Sequence, residues 1–220
     1  MKILLSAYAC EPQKGSEPNA GWNWAYELSK RGNEVYVLTR SNNKTNITHY
    51  LQKEKTLPKI NFFYYDLPSF FIKLKKKFKC TNLYYFLWQL YILNKCKKLN
   101  DKIKFDVIHH VTFAGLRHYS LLGELNENTI IGPLGGAETS PLWLRKHIGF
   151  KGAIYETFRD LINSTLFIDP FFLRSIKKSN KLIFTTKAGI KYCPKEDKSK
   201  VFICPTIGLR EEEYPSKRVT

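Results

Sequence analysis

The sequence opens with KILLSAYA at residues 2–9, and EVYVLT follows at residues 34–39. Both runs are short and apolar, which is typical of buried strands. The segment Ala20–Lys30 between them has helical character, and Gly32 stops it. Strand, helix and strand in succession form a βαβ unit, so this stretch predicts a parallel sheet.

The same alternation continues along the chain. Further strands are predicted at Ile60–Tyr65, Phe105–Val111, Thr129–Ile131, Lys181–Thr185 and Lys200–Cys204. Helices are predicted across most of Ser69–Lys104 and at Leu116–Leu122, Ile148–Asn163 and Pro170–Lys178. We therefore predict an α/β fold, a Rossmann-like doubly wound and mainly parallel sheet with flanking helices. Ligands of such a domain are expected beyond the carboxyl ends of its strands.

The charge balance narrows the choice of partner. Thirty-six Lys and Arg against 19 Asp and Glu give a net charge of +17 in 220 residues. This excess favours phosphorylated ligands, an anionic bilayer or nucleic acid. The alternative is a basic solvated surface that an acidic partner domain balances. Because no RNP, KH or zinc-finger pattern accompanies the basic residues, we expect no nucleic-acid partner.

The cysteines and the apolar runs indicate the compartment. Five cysteines are scattered without a CxxC pair, which predicts reduced thiols rather than a zinc or redox site. The longest apolar candidate, Leu83–Leu93, is well short of the ~20 residues that cross a bilayer. We expect a cytoplasmic protein, either soluble or peripheral on the inner face of the cell membrane.

Three polar clusters follow predicted strands, and in a parallel sheet such clusters share one edge. The first contains Gly15, Ser16, Glu17 and Gly21. Glycine permits close backbone approach, and free N–H groups at a helix start attract a phosphate or carboxylate. The spacing is not GxGxxG, and Arg40 follows the second strand where a dinucleotide site carries an acidic residue, so that fingerprint is absent. A purely structural turn is the alternative.

The second cluster, His109, His110 and Thr112, ends a predicted strand. Neighbouring strand residues point to opposite faces, so at most one histidine addresses a cleft at the sheet edge. A structural histidine is the alternative. Adjacent strand histidines diverge and no third ligand has suitable spacing, so we expect no metal site.

The third cluster contains Gly135, Gly136 and Glu138. Two adjacent glycines after a strand, followed by a carboxylate, form a loop that wraps closely around a ligand. The alternative is a strand-to-loop crossing that needs permissive backbone dihedrals.

These motifs resemble, in order, those of one subgroup of the family-4 retaining glycosyltransferases. The motifs are AYACEP at 7–12, GSEP at 15–18, GWNW at 21–24, IHHVT at 108–112 and GPLGGAE at 132–138. FTT at 184–186 and the segment 201–208 resemble the approach to the interdomain linker of that subgroup. The usual third glycine is Ala137 here, a departure that we expect to tighten the loop.

The resemblance implies one half of a GT-B fold. Residues 1–205 are expected to form the acceptor-side N-terminal domain, and residues 206–220 the start of an interdomain linker or a frayed tail. The C-terminal donor domain lies outside the chain. The implied activity of the whole enzyme is hexosyl transfer from a nucleotide sugar to a glycan or lipid-linked acceptor in cell-surface polysaccharide synthesis, with this half inactive alone. A non-catalytic carbohydrate- or membrane-binding module is the alternative, and a basic nucleic-acid-binding protein a third.

The resemblance also assigns roles to residues. His110 is expected to contact the transferred sugar and Glu138 to orient hydroxyl groups. Donor and substrate contacts are expected from Gly15, Ser16, Glu17, Gly21, Thr112, Gly135 and Gly136. The nucleotide sugar is a co-substrate, and neither a cofactor nor a metal is expected.

A basic and aromatic run at residues 70–79 predicts contact with an anionic membrane surface. Its candidate interface residues are Phe70, Phe71, Lys73, Lys75, Lys76, Lys77 and Lys79. Cations flanking aromatic side chains suit the interface of an anionic bilayer, and each cation adds about 1 kcal/mol near the surface. A solvated helix beside a core aromatic stripe is the alternative.

Overall fold

A computed structural model describes residues 1–54, 58–113 and 115–206. The described residues form one seven-stranded sheet in which every neighbouring pair is parallel. Its strands are β1 (Lys2–Ala7), β2 (Glu34–Thr39), β3 (Ile60–Tyr64), β4 (Val107–Thr112), β5 (Thr129–Leu134), β6 (Lys181–Phe184) and β7 (Val201–Ile203). The predicted α/β class, Rossmann-like and doubly wound, is confirmed. The predicted linker at residues 206–220 lies, from residue 207 onward, outside the described residues.

Helices flank the sheet. They are α1 (Ser16–Lys30), α2 (Lys44–Lys53), α3 (Ser69–Phe78), α4 (Thr81–Ile103), α5 (Leu142–Arg145), α6 (Gly149–Ser164) and α7 (Pro170–Lys178). The predicted helical stretch 69–104 is divided where Lys79 takes a left-handed φ of 51°. The first helix begins at Ser16, before the predicted Ala20, because Gly15 at φ 52° turns the chain into it.

The helix predicted at Leu116–Leu122 is wrong. The chain there is irregular, apart from a 3-10 turn at Leu122–Glu124. Side chains take the backbone groups that a helix would use: the Tyr85 hydroxyl donates to the His118 carbonyl at 2.9 Å and lies 3.3 Å from the Tyr119 carbonyl. The Ser120 hydroxyl accepts from the Leu122 N–H at 3.3 Å. Tertiary hydrogen bonds from α4 therefore override the local helical pattern.

Alternation along the central strands builds a core on each face of the sheet. Leu4 of β1 packs beneath Trp88 of α4, whereas Leu5 packs beneath Trp22 of α1 on the opposite face. All four side chains are essentially inaccessible to solvent. A third cluster fills the space between β5, β6 and α7 around Phe172. Because apolar side chains are buried on both faces, the inner strands read as continuous apolar runs.

The α6 helix departs from this pattern because its apolar side chains face solvent. Phe150 is 82% exposed and Phe158 59% exposed. The same segment, from α5 to the chain after α6, also exposes Leu142, Trp143, Ile154, Tyr155, Leu161, Phe167 and Ile168. Three- and four-residue spacing puts several of these side chains on one side of α6. The helix predicted at Ile148–Asn163 is present, but the sequence pattern did not indicate that its apolar face would be exposed.

Strand order determines where a crevice forms. The order is β3-β2-β1-β4-β5-β6-β7, so the chain winds outward from β1 to β3 and then resumes on the other side of β1. The loops after β1 and β4 therefore diverge at the carboxyl edge. The first polar cluster follows β1 and the second lies at the carboxyl end of β4, so both are at this switch point. The third cluster follows β5, which is adjacent to β4.

Candidate functional site

The loop after β1 exposes the start of α1. Gly15 has φ 52° and ψ 178°, and no side chain caps the first turn of the helix. Both Gly15 and Ser16 are exposed, and the Gly15 carbonyl accepts from the Asn19 N–H at 3.1 Å. The positive end of a 15-residue helix thus faces solvent at the carboxyl edge of the sheet. Glu17, in the first turn, is half-buried.

Gly21 and Thr112 lie beneath this loop rather than on its surface. The Thr112 hydroxyl accepts from the Ala9 N–H at 3.1 Å and is fully buried. A Cβ at Gly21 would lie 2.3 Å from the Ala9 carbonyl oxygen and 2.9 Å from Thr112 Cγ2. Both predicted binding residues therefore act here by packing α1 and β4 against the chain that leaves β1.

The adjacent histidines of β4 point to opposite faces, as the strand pleat requires. On the α1 side, His109 Nε2 lies 2.9 Å from the Gly132 carbonyl, and the ring meets Trp24 edge-on. Burial lowers the pKa of His109 to about 4, against the raising effect of the Gly132 carbonyl. The ring is neutral near pH 7, and it donates from Nε2 because a carbonyl can only accept.

His110 occupies the other face, at the centre of a buried network. Its Nε2 lies 3.1 Å from the Tyr85 hydroxyl, and its Nδ1 lies 3.3 Å from Ser6 Oγ. Tyr85 donates its one proton to the His118 carbonyl, so the network assigns the His110 proton to Nε2. Burial, followed by the neighbouring His109, lowers the pKa of His110 to about 3. With both nitrogens engaged and 1% exposure, His110 contacts Tyr85 and Ser6 but no solvent.

The third loop holds a carboxylate in one orientation. The Gly136 N–H donates to Glu138 Oε2 at 2.9 Å, and the Thr186 hydroxyl donates to Oε1 at 2.7 Å. Partial burial acts to raise the pKa of Glu138, but hydrogen bonds led by the one from Thr186 hold it below its ordinary value. Gly136 takes φ 87°, which glycine adopts without strain, and Gly135 pairs with Gly115 after β4. Glu138 is therefore an exposed, ionised and fixed acceptor.

A groove of about 470 Å³ opens between this loop and α6. Glu138 and Ser140 line it on the loop side, and Tyr155 and Ile148 supply apolar surface. The Arg159 guanidinium donates to the Glu138 carbonyl at 2.7 Å, which ties the helix to the loop. This combination of an apolar wall and a fixed carboxylate is typical of a small-molecule site.

The predicted membrane residues divide into two groups. Phe70 is 65% exposed, and Lys73, Lys76, Lys77 and Lys79 are all exposed. Phe71 is half-buried and packs on the core beneath α4. The side chain of Lys75 is turned inward, with Nζ 3.4 Å from the Tyr8 hydroxyl. We call Phe70, Lys73, Lys76, Lys77, Phe78 and Lys79 the α3 surface.

Sequence reasoning missed the partners that complete each loop. Thr186 follows β6 and orients Glu138, and its signal was a polar pair, Thr185 and Thr186, at a strand end. Arg40 follows β2 in the same way and stacks on Tyr8, with its guanidinium carbon 4.1 Å from the ring centre. The rule that polar residues after parallel strands share an edge identifies both.

No cluster of three His, Cys, Asp or Glu side chains suited to a metal ion occurs within residues 1–54, 58–113 and 115–206. No helix in that part of the chain combines the length and the apolar character needed to cross a bilayer. All five cysteines are free thiols.

Comparison with known proteins adds no assignment. No protein-family model matches the chain, and no curated protein matches it.

Proposed function

We propose that the chain is the acceptor-side half of a retaining glycosyltransferase of the GT-B type. The whole enzyme transfers a hexosyl group from a nucleotide sugar to a glycan or lipid-linked acceptor in cell-surface polysaccharide synthesis. The observation that carries the proposal is the uncapped, exposed start of α1 at Gly15, beside the switch point between β1 and β4. The motif resemblance at residues 7–24, 108–112 and 132–138 supports it.

In the proposed mechanism the chain supplies one wall of an interdomain cleft. The bond between the anomeric carbon of the sugar and the diphosphate oxygen breaks, and the acceptor hydroxyl oxygen forms the new bond to that carbon. The nucleoside diphosphate leaves with the electron pair, so negative charge develops on it, and it takes up the proton that the acceptor hydroxyl loses. Backbone amides at Gly15 and Ser16, at the positive end of α1, stabilise that charge. Glu138, ionised and fixed by Gly136 and Thr186, accepts hydrogen bonds from sugar hydroxyls. In this proposal the chain binds the acceptor and contacts the transferred sugar, and a C-terminal domain of the whole enzyme binds the donor nucleotide.

His110 acts in this proposal chiefly by positioning. It holds Ser6 and Tyr85 beneath the switch point, and its ring is covered by Tyr85. Direct contact with the transferred sugar requires Tyr85 to move aside. Since the pKa of His110 lies at about 3, the ring is a neutral hydrogen-bonding group near pH 7 and not an acid.

A chimera tests the proposal. Residues 1–205 are joined to the donor domain of a family-4 retaining glycosyltransferase, and release of nucleoside diphosphate is measured with polyprenyl-pyrophosphate-linked sugars as acceptors. Gly15→Ala is expected to reduce turnover about tenfold or more, because the substitution disturbs a loop that faces transition-state charge.

Gly32→Ala is the matched control. Both glycines have positive φ, 52° and 82°, and neither would bring a Cβ within 4 Å of another atom. Alanine is strained at both positions by about 1–3 kcal/mol, and most at Gly15, where ψ is 178°, so circular dichroism first establishes that both variants fold. Gly32 lies at the far end of α1, away from the proposed cleft. Equal loss of turnover in the two variants would contradict a role for Gly15 in transfer.

A membrane-binding role is a second candidate, and the α3 surface favours it. Two exposed phenylalanines, Phe70 and Phe78, flank lysines whose side chains face solvent. This pattern suits an anionic bilayer, where a lipid-linked acceptor resides. We propose that the protein works peripherally at the cytoplasmic face of the cell membrane, and that it does so whether or not it catalyses transfer.

A further inference from the structure

Two cations converge on one tyrosine at the carboxyl edge of the sheet. Arg40 follows β2, and its guanidinium carbon lies 4.1 Å from the ring centre of Tyr8, with Nε 3.3 Å from the Tyr8 carbonyl. Lys75 comes from α3, and its Nζ donates to the Tyr8 hydroxyl at 3.4 Å. Lys75 Nζ also lies 4.7 Å from the ring centre of Tyr84. The buried Tyr8 ring thus holds both cations beside the loop that leads to Gly15.

Neither cation has a carboxylate partner among the described residues. No oxygen of an Asp or Glu in residues 1–54, 58–113 and 115–206 lies within ion-pair distance of Arg40 or Lys75. The nearby Asp66 is occupied: the Tyr84 hydroxyl donates to Oδ1 at 3.2 Å and the Ser41 N–H to Oδ2 at 3.0 Å. Two half-buried like charges therefore face each other without full compensation.

The pKa of Lys75 reflects this uncompensated positive charge. Partial burial lowers its pKa, the charge of Arg40 lowers it further, and Asp66 opposes both. Exposed lysines on the same helix, such as Lys76, show that α3 does not force a lysine inward. A bound anion would relieve both the burial and the repulsion.

We propose that Arg40 and Lys75 bind a phosphate or pyrophosphate group of the acceptor at the switch point; this assignment of the anion to an acceptor rests on the proposed transferase function. A guanidinium offers a planar pair of donors that matches phosphate oxygens, and an ammonium adds a compact charge. Stacking on Tyr8 fixes the orientation of the Arg40 guanidinium while its Nη donors remain available. The acceptor is thus a phosphorylated or pyrophosphate-linked sugar or lipid.

The experiment measures anion binding to the intact 220-residue chain by isothermal titration at low ionic strength. The probes are inorganic pyrophosphate and farnesyl pyrophosphate. The wild-type chain is expected to bind both, and Lys75→Gln and Arg40→Gln are each expected to weaken binding about tenfold, the effect of losing one charge-assisted contact. Tighter binding of farnesyl pyrophosphate supports a lipid-linked acceptor, and equal binding supports a soluble phosphorylated one.

Lys76→Gln is the matched control because it removes the same charge from the neighbouring residue of the same helix. It is expected to leave the affinity within about twofold, since Lys76 is exposed and its charge acts on the anion only through water of high dielectric constant. If Lys76→Gln weakens binding as much as Lys75→Gln, or if the wild-type chain binds neither probe, the site is refuted.

A second readout separates binding from folding. Titration of ¹³Cε-labelled lysines by NMR is expected to show the pKa of Lys75 rising when pyrophosphate is added, because an opposite charge favours the charged amine. An unchanged Lys75 titration at saturating pyrophosphate would overturn the proposal even if a variant failed to fold. Pyrophosphate binding with no turnover in the chimera would refute the transferase and retain the anion site. If Arg40→Gln and Lys75→Gln change neither the turnover nor the acceptor KM of the chimera, the anion site is refuted and the transferase function is retained.

Discussion

Three histidines, His109, His110 and His118, are neutral in the folded chain because burial, nearly complete for the first two and partial for His118, disfavours the charged ring. Burial lowers the pKa of His118 to about 4, as it lowers that of His109 to about 4 and that of His110 to about 3. In the unfolded chain the same groups titrate near 6.5. Each folded pKa therefore lies below its unfolded value, and the unfolded state binds more protons between the two.

We expect the contribution of these neutral histidines to the free energy of unfolding to be fully present above pH 6.5. It is lost as the pH falls toward 4. Between pH 6.5 and pH 5 each buried histidine contributes a loss of about 1.5 kcal/mol, before most carboxylates begin to titrate. Urea unfolding at several pH values in this window measures the slope. His118→Gln retains a donor for Asn82. We expect it to reduce the slope of the unfolding free energy against pH by the equivalent of nearly one bound proton.

The exposed His147 gives the control for this measurement. His147→Gln is expected to retain the pH dependence of the wild-type chain. If His118→Gln and His147→Gln give the same slope, burial of His118 does not contribute to acid sensitivity.

At the scale of elements, the contact between α1 and the chain leaving β1 depends on one missing side chain. A Cβ at Gly21 would meet the Ala9 carbonyl oxygen at 2.3 Å, and backbone cannot yield as a flexible side chain does. Gly21→Ala is therefore expected to destabilise the fold by about 2 kcal/mol, although alanine is the better helix former. Thermal unfolding followed by circular dichroism measures this change.

Gly152→Ala, in the middle of α6, is the comparison. There the nearest atom to a Cβ is Ile148 Cγ1 at 3.2 Å, a side-chain atom that can shift by a few tenths of an ångström. We expect this substitution to be neutral or to stabilise by up to about 1 kcal/mol, through helix propensity. Equal destabilisation by Gly21→Ala and Gly152→Ala would mean that close packing at Gly21 is unimportant.

At the scale of the whole molecule, the net charge of +17 attracts anionic surfaces without specifying which face meets them. The α3 surface makes a local prediction. Combined replacement of Lys73, Lys76 and Lys77 by Gln is expected to weaken binding to phosphatidylglycerol vesicles by roughly a hundredfold, at about 1 kcal/mol for each cation. Flotation with mixed phosphatidylglycerol and phosphatidylcholine vesicles measures it.

The control replaces Lys97, Lys98 and Lys102 by Gln, which removes three exposed charges near the end of α4. We expect most of the vesicle binding to remain. Equal loss in both triple variants would assign the interaction to net charge alone. Binding that persists in high salt but disappears in Phe150→Ser with Phe158→Ser would assign it to α6 and contradict the α3 surface.

Much of the fold could be predicted because local patterns decide strands and helices. The apolar run of β1 and the turn at Gly32 indicated a βαβ unit, and the parallel rule placed the polar clusters on one edge. The irregular segment 116–122 could not be predicted, since Tyr85 of α4, which is distant in the sequence, donates to its His118 carbonyl. Of the candidate site, the loops at Gly15 and Gly135–Gly136 were visible in the sequence.

The sequence alone determined the strand and helix class, the excess of positive charge and the order of the polar motifs, because these follow from composition and short-range spacing. Only the tertiary structure decided that His110 is buried under Tyr85, that Thr186 orients Glu138, and that Lys75 joins Arg40 on Tyr8. Those outcomes depend on which side chains from separate elements meet at the sheet edge. Burial and hydrogen bonding at that edge, which no local pattern encodes, fix the charge and orientation of each group.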